Sequence, residues 1–496
     1  MKRLALIFGM IFTLASCMER GGKGIPFQSN FTQVSSIDIG GEAAAEITAH
    51  DPETQQLFVV NNSLSSTVDI IDFSDPQNML PTGFIDITSY GGGVNSVAVK
   101  NGLLAIAVEA FTKTDNGSVL VFETSNLETP LAIIPVGALP DMVTFSPNGR
   151  YIMTANEGEP NDDYSIDPEG SISIIDVEMG FDVTTLGFES FEGQKEALMA
   201  GGYRVFGPNA SLAQDTEPEY VAIDSKSETA WVTLQENNGI AKVDIKRKII
   251  TDIFPMGLKD HTKNGNEMDP SDRDGGVNLQ NWPIYAYYLP DAIVSYSLGS
   301  AEFYITANEG DTREYETYEE ESRVKDLDLD PDAFPNADFL QEDENLGRYT
   351  VTTASGDLDG DGDFDVLHGI GGRSFTIWNG NNGTKVNDYK NLEKDLLATN
   401  PSLYDDGRSD NKGVEPEAVE IGIVNGRTYL FVGMERADAV AVYELRGIGG
   451  VTYVQILETG DAPEGVLFIP SEESPNGKAT LLVSSEGDGV IRVYQN

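Results

Sequence analysis

The feature that most limits what this chain can become is a repeat. An apolar strand-like run, a Gly- or Asn-containing turn, a second run, a polar turn and a third run recur seven times along it. A period of roughly 40–50 residues built from short strands marks propeller blades, since one such sheet cannot bury both of its faces and must be sandwiched between copies of itself. The clearest copy runs Pro140-Asp141-Met142-Val143-Thr144-Phe145, turns at Pro147-Asn148-Gly149, continues Tyr151-Ile152-Met153-Thr154-Ala155-Asn156-Glu157 and ends Ser171-Ile172-Ser173-Ile174-Ile175-Asp176. Its β-branched runs and Pro-Asn-Gly turn suit an antiparallel hairpin. The frame returns at Pro218-Glu219 with Gln235-Glu236, at Pro290-Asp291 with Asn308-Glu309, at Pro416-Glu417 with Met434-Glu435, and at Pro463-Glu464 with Ser485-Glu486. Two weaker copies begin at Glu46 and near Asn95.

The last copy stops after its third run, Val490-Ile491-Arg492-Val493-Tyr494, and a strand-like stretch at 31–39 precedes the first. Pairing the two would close the ring and leave no open edge. The expected fold class is therefore all-β: one seven-bladed β-propeller over 31–496, closed by an N-terminal strand. Helical periodicity is nearly absent, with a short helix expected near 194–200. Three long acidic, Gly-containing insertions, at about 178–215, 251–287 and 311–371, interrupt the repeat. Insertions of that length are expected as functional covers or disordered loops.

The N-terminus bears on location. Lys2 and Arg3 precede an apolar run that ends Leu14-Ala15-Ser16-Cys17, the pattern of a bacterial lipoprotein signal. The run is short of the roughly 20 residues that span a bilayer, so 1–17 reads as a cleaved export signal with a lipobox. Residues 18–30 read as a tether, and the membrane is met only through lipid on Cys17. A plain secretory signal with an incidental cysteine is the alternative. Cys17 is the only cysteine, so no disulfide joins the mature chain. The expected location is the bacterial cell envelope, lipid-anchored; Met18, where an Asp would retain the protein at the inner membrane, points to the outer one. With 32 Lys and Arg against 81 Asp and Glu, the net charge is −49. That excludes nucleic acid as a partner and makes divalent cations the natural one. A bulk charge that serves only solubility is the competing explanation, and the sequence does not identify a protein or polymer ligand.

Position decides between these readings. In a blade, the start of the innermost strand and the end of the next lie at the same end of the ring. The repeat puts Glu46, Asp141, Glu219, Asp291, Glu417 and Glu464 at the first place, with Asn95 the exception, and Glu109, Glu157, Glu236, Glu309, Glu435 and Glu486 at the second, with Asn62 the exception. An acidic mouth follows, and its mutual repulsion must be offset by cations or by basic groups such as Arg204, Arg313, Arg373 and Arg436. Capping of turns by these acids is the structural alternative. A second candidate lies in the third insertion, Asp357-Leu358-Asp359-Gly360-Asp361-Gly362-Asp363-Phe364-Asp365. Read as an EF-type loop, Asp357, Asp359, Asp361, Asp363 and Asp365 would gather oxygens about Ca2+; His368 rather than Glu stands at position twelve, which argues for a related acidic loop. Catalytic patterns are thin. His50, His261 and His368 lack zinc-motif spacing, and no Gly-x-Ser-x-Gly elbow occurs. The stretches Lys259-Asp260-His261 and Ser271-Asp272-Arg273-Asp274-Gly275-Gly276 have the mixed acid, base and glycine content of a site loop, and equally that of an acidic surface insertion, which is the reading expected here.

Several stretches resemble the choice-of-anchor I family, whose repeats are YVTN/WD40-like: Leu139-Pro140-Asp141-Met142-Val143-Thr144-Phe145-Ser146, Ala155-Asn156-Glu157-Gly158-Glu159-Pro160-Asn161-Asp162-Asp163-Tyr164, Ser271-Asp272-Arg273-Asp274-Gly275-Gly276, Thr306-Ala307-Asn308-Glu309-Gly310-Asp311, Gly371-Gly372-Arg373-Ser374-Phe375 and Pro463-Glu464-Gly465. The resemblance implies extracellular display, and an animal member implies calcium handling or biomineralisation; some bacterial members carry an alkaline phosphatase label. The chain departs from the family's C-terminal sorting signal, ending at Asn496 within the last blade, and the lipobox would replace that anchor. The function expected is a calcium-binding, non-catalytic binding or scaffold protein. The alternative is a calcium-dependent phosphoesterase, in which ions held by Glu157, Glu236 and Glu309 would polarise a phosphate and activate water.

Overall fold

Each repeat folds as a four-stranded antiparallel sheet in sequence order, for the third one Pro140–Phe145, Tyr151–Asn156, Ser171–Asp176 and Asp182–Leu186. The computed structural model describes residues 30–496. The expected export signal, Cys17 and the expected tether through residue 29 lie outside them. Among the described residues there are seven such sheets. Their innermost strands are Ala44–Asp51, Val94–Lys100, Pro140–Phe145, Pro218–Ile223, Ile293–Leu298, Pro416–Val424 and Pro463–Ile469, and each touches the next in cyclic order, the last touching the first. The result is a β-propeller around a central channel. Thr32–Asp38 pairs antiparallel with Val490–Gln495, so the N-terminal strand supplies the outer edge of the last sheet.

Burial follows from the stacking. Tyr151–Asn156 and Thr480–Ser485 are buried at every position, on both faces, because neighbouring blades cover both sides. Outer strands such as Leu80–Asp86 are mostly exposed. The apolar core is therefore divided among the seams: Met153 and Ile174 of the third blade pack with Val221, Val232 and Val243 of the fourth, and Phe375 and Ile377 of the fifth with Val432 and Tyr443 of the sixth.

The insertions differ from expectation: Lys259, His261 and Ser271, in stretches expected at the surface, are buried. The first two begin later than about 178 and 251, because Asp182–Leu186 and Ile249–Pro255 are outer blade strands. Their half-exposed residues lack the buried alternation that marks inner strands. The second and third insertions also combine into one structure. Leu258–Asp260, Ile284–Tyr287, Leu367–Gly369, Thr350–Thr352 and Glu321–Arg323 form a five-stranded sheet. Its own apolar core includes Met268, Trp282, Phe334, Leu346 and Tyr349. The first insertion holds the expected short helix, Lys195–Ala200, preceded by a 3-10 turn at Glu189–Gln194.

Candidate metal centre at the channel mouth

Two local devices aim the repeat's acids into the channel. The first is a break in strand register where the innermost strand begins. Pairing with the next strand shifts between Pro140 and Met142, between Pro218 and Val221, between Pro416 and Val419, and between Pro463 and Gly465. The skipped residues include Asp141, Glu219, Glu417 and Glu464. A bulge removes a residue from the ladder and re-aims its side chain, and here the residue freed is the acid. Leu139, Leu289, Glu415 and Ala462, each just before a proline, adopt positive φ of 44° to 53° and set that turn.

The second device fixes the acids at the end of the next strand. Thr154 Oγ1 donates to Asn156 Oδ1 at 2.8 Å, and Asn156 Nδ2 donates to Ser173 Oγ at 3.0 Å. Thr306 Oγ1, Asn308 and Thr376 Oγ1 repeat the arrangement at 2.8 and 2.9 Å. A buried asparagine so tied leaves the next residue, Glu157 or Glu309, at the strand exit. Two glycines allow the chain to leave there: a Cβ on Gly310 would lie 2.5 Å from Gly371 Cα, and one on Gly371 would lie 2.3 Å from the Glu309 carbonyl oxygen.

Asp141, Glu219, Asp291, Glu309, Glu417, Glu435 and Glu464 line one cavity of about 350 Å³. Ile47, Ser96, Met142, Tyr220, Val419 and Val466 also border a second cavity of about 390 Å³ on the far side, so the two adjoin at that layer of the channel. Removal from water, reinforced by the neighbouring carboxylates, raises Glu46 and Asp141 to about 7 and Glu435 to about 8. The same causes hold Glu157, Glu219, Glu236, Asp291, Glu417 and Glu464 well above the ordinary carboxylate range, and burial also raises Glu486. One oxygen each of Glu236, Glu417 and Glu464 is sealed from solvent with no hydrogen-bond partner. Such groups are costly when ionised and unpaired.

Compensation comes from side chains that sequence reasoning mostly missed. Lys412 lies 2.7 Å from Glu309, 3.4 Å from Asp311 and 3.8 Å from Glu415. Arg436 lies 2.8 Å from Glu435 and 3.1 Å from Glu415. Of the four arginines expected to neutralise the ring, Arg436 alone pairs with one of its carboxylates. Arg313 is buried against Asp215 and Glu217, Arg204 against Glu320, and Arg373 donates to the carbonyls of Asp269 and Asn411 at 2.8 Å. A guanidinium in a dry interior needs acceptors around its plane; residues of the insertions and of the 409–411 segment supply most of them, and Arg373 Nε is left without one. The proximity of Lys412 and Glu415 to Pro416-Glu417 was the available signal.

The aspartates of 357–365 divide into two groups. Asp357, Asp359 and Asp361 cluster in the open, whereas Asp363 and Asp365 gather with Asp330, which sequence reasoning did not include. Asp357 accepts from the amides of Gly360 and Gly362 at 2.7 and 3.1 Å, and Asp365 from Leu358 N at 2.7 Å. Position twelve of the EF reading is turned away: His368 Nδ1 shares a hydrogen bond with Ser355 Oγ at 2.7 Å, and its ring meets Tyr287.

A propeller ring with a carboxylate-lined mouth and a small satellite sheet defines the class of protein. Within it, the chain belongs to the choice-of-anchor I domain family, whose model matches residues 46–448. It is similar to Gigasin-3a of Magallana gigas, 24% identical over 188 residues that make up 31% of this chain and 66% of that protein. It is also similar to the mesenchyme-specific cell surface glycoprotein of Strongylocentrotus purpuratus, 26% identical over 309 residues, 53% of this chain and 39% of that protein. The chain thus spans less than two thirds of the length of these curated relatives. Among solved structures, Kuenenia stuttgartiensis hydrazine synthase superposes with a TM-score of 0.50 at 13% identity, over 94% of this chain and 99% of that one. At that identity the likeness is one of fold alone.

Proposed function

We propose that this protein is a non-catalytic binding protein displayed on the cell envelope, that calcium is its cofactor, and that the carboxylate-lined mouth is the face it presents to its partner. The observation that carries this reading is the mouth itself: buried, mutually repelling carboxylates converge there with too few basic groups to offset them. Cations restore the balance. The aspartates of 357–365 are a second place for an ion. A relative named as a cell surface glycoprotein supports display outside the cell, and lipid on Cys17 would be the anchor.

The test is a calcium titration of the chelator-stripped protein, followed by heat release and melting temperature. Ion binding to the folded state must stabilise it by mass action, by about 2.7 kcal/mol at a hundredfold excess over Kd. A saturable heat with a raised melting point is expected. No heat and no shift at millimolar calcium would overturn the reading.

A further inference from the structure

On the reading that the mouth takes cations, we infer that a calcium ion binds between the third and fourth blades, on Asp141, Glu157 and Glu219, and that the mouth's other carboxylate triad is an internal ion-pair cluster. The two triads are alike in spacing. Asp141, Glu157 and Glu219 bring ligand oxygens within 4.8 Å of one another, and so do Glu309, Glu415 and Glu435, two blade positions further round. Oxygens on opposite sides of a calcium ion, each at ~2.4 Å, are about 4.8 Å apart, so distance alone admits an ion at either.

Charge separates them. The second triad already holds Lys412, Arg436 and Arg408, the last donating to Glu415 at 3.1 Å. Three basic groups meet three carboxylates, and a metal ion would have to displace them. The first triad has no such partners: among the described residues no ion pair or hydrogen bond reaches any of its three carboxylates. Glu157 is only 9% exposed. Beside it, Glu236 Oε2 is sealed from solvent and unpartnered. Lys113, whose charge acts on Asp141 and Glu157 without an ion pair to either, is half exposed and paired with Glu159. A buried carboxylate without a partner is among the costlier features a fold can hold, and one divalent ion relieves three.

The lining also selects the occupant. Eight side chains around the cavity are carboxylates, and two, Lys412 and Arg436, are basic. A wall so rich in carboxylates draws in a metal cation, which displaces their protons as it binds, in preference to a phosphate ester or other anion. Three carboxylates offered by separate strands suit the variable coordination of calcium better than the strict octahedron of magnesium.

The experiment counts calcium equivalents on the full chain by calorimetry, with melting temperatures in chelator and in calcium. The variants are Glu157→Gln with Glu219→Gln, Glu435→Gln, and Asp359→Asn with Asp361→Asn. The first is expected to melt at or above the wild-type temperature in chelator, because repulsion is relieved, and to lose one equivalent with its share of the calcium shift. Glu435→Gln is expected to keep that equivalent. A first variant that keeps every equivalent, or that is destabilised in chelator, overturns the assignment, as does loss of the equivalent in Glu435→Gln. Binding abolished only by the loop variant would overturn this site while leaving calcium dependence standing; a wild type that binds no calcium overturns both.

Discussion

At the scale of single residues, burial sets the chemistry of the channel. Glu420 is the clearest case, because it lies in the far half of the channel, away from the mouth. Removal from water pushes it up to about 7, opposed only by the hydrogen bond from Ile421 N at 2.7 Å. The folded state therefore holds this proton more tightly than the unfolded chain, whose ordinary value is 4.5. The stability so gained is fully present below the unfolded value and lost as pH rises through about 7. Glu420→Gln should match the wild type near pH 5 and exceed it by about 1–3 kcal/mol near pH 8, as read from urea unfolding at the two values; equal stability at pH 8 would count against it. Arg313 is the opposite case, a buried cation already paired. Arg313→Met strands Asp215 and Glu217, and a loss of about 3–5 kcal/mol is expected, partly recovered when Asp215→Asn and Glu217→Gln are added.

At the scale of elements, the ring depends on its closing strand. Thr32–Asp38 covers Val490–Gln495, and Val34, Ile37 and Ile39 pack on the seam beside Ile491 and Val493. Deleting 31–39 exposes a flat edge and part of that seam. The melting temperature should fall by several degrees and light scattering should rise on mild heating; a monodisperse deletion variant with unchanged melting would show that the ring holds without it. The satellite sheet makes the contrasting point. Leu258–Asp260, Thr350–Thr352 and Leu367–Gly369 are each three residues long, too short to carry periodicity. Ile284–Tyr287 pairs in parallel with Leu367–Gly369 across a long stretch of chain, which no local pattern announces.

At the scale of the whole molecule, the charge of −49 is both a burden and a handle. Self-repulsion destabilises a compact acidic chain. Calcium should therefore stabilise the protein more than an equal ionic strength of sodium chloride does, and melting curves in the two salts check it; equal effects would reduce the ion to screening. Anchoring is tested separately. Cys17→Ser should move the protein from the membrane fraction to the soluble fraction of fractionated cells, and a variant that stays with the membrane would argue for another attachment. Among the described residues no helix is long and apolar enough to span a bilayer.

The sequence by itself determined the repeat, and with it the propeller, the closing strand and the positions of the ring acids. A repeat places equivalent residues at equivalent points of a ring, so a local pattern becomes a global one. Only the tertiary structure decided which acids are compensated, because the compensating groups come from elsewhere in the chain. Lys412 reaches Glu309 across 103 positions, and Arg313 reaches Asp215 across 98. Asp330 likewise joins Asp363 and Asp365 only once the third insertion has folded back on itself. Charge pairing in a dry interior depends on distance in space, which the order of residues does not state.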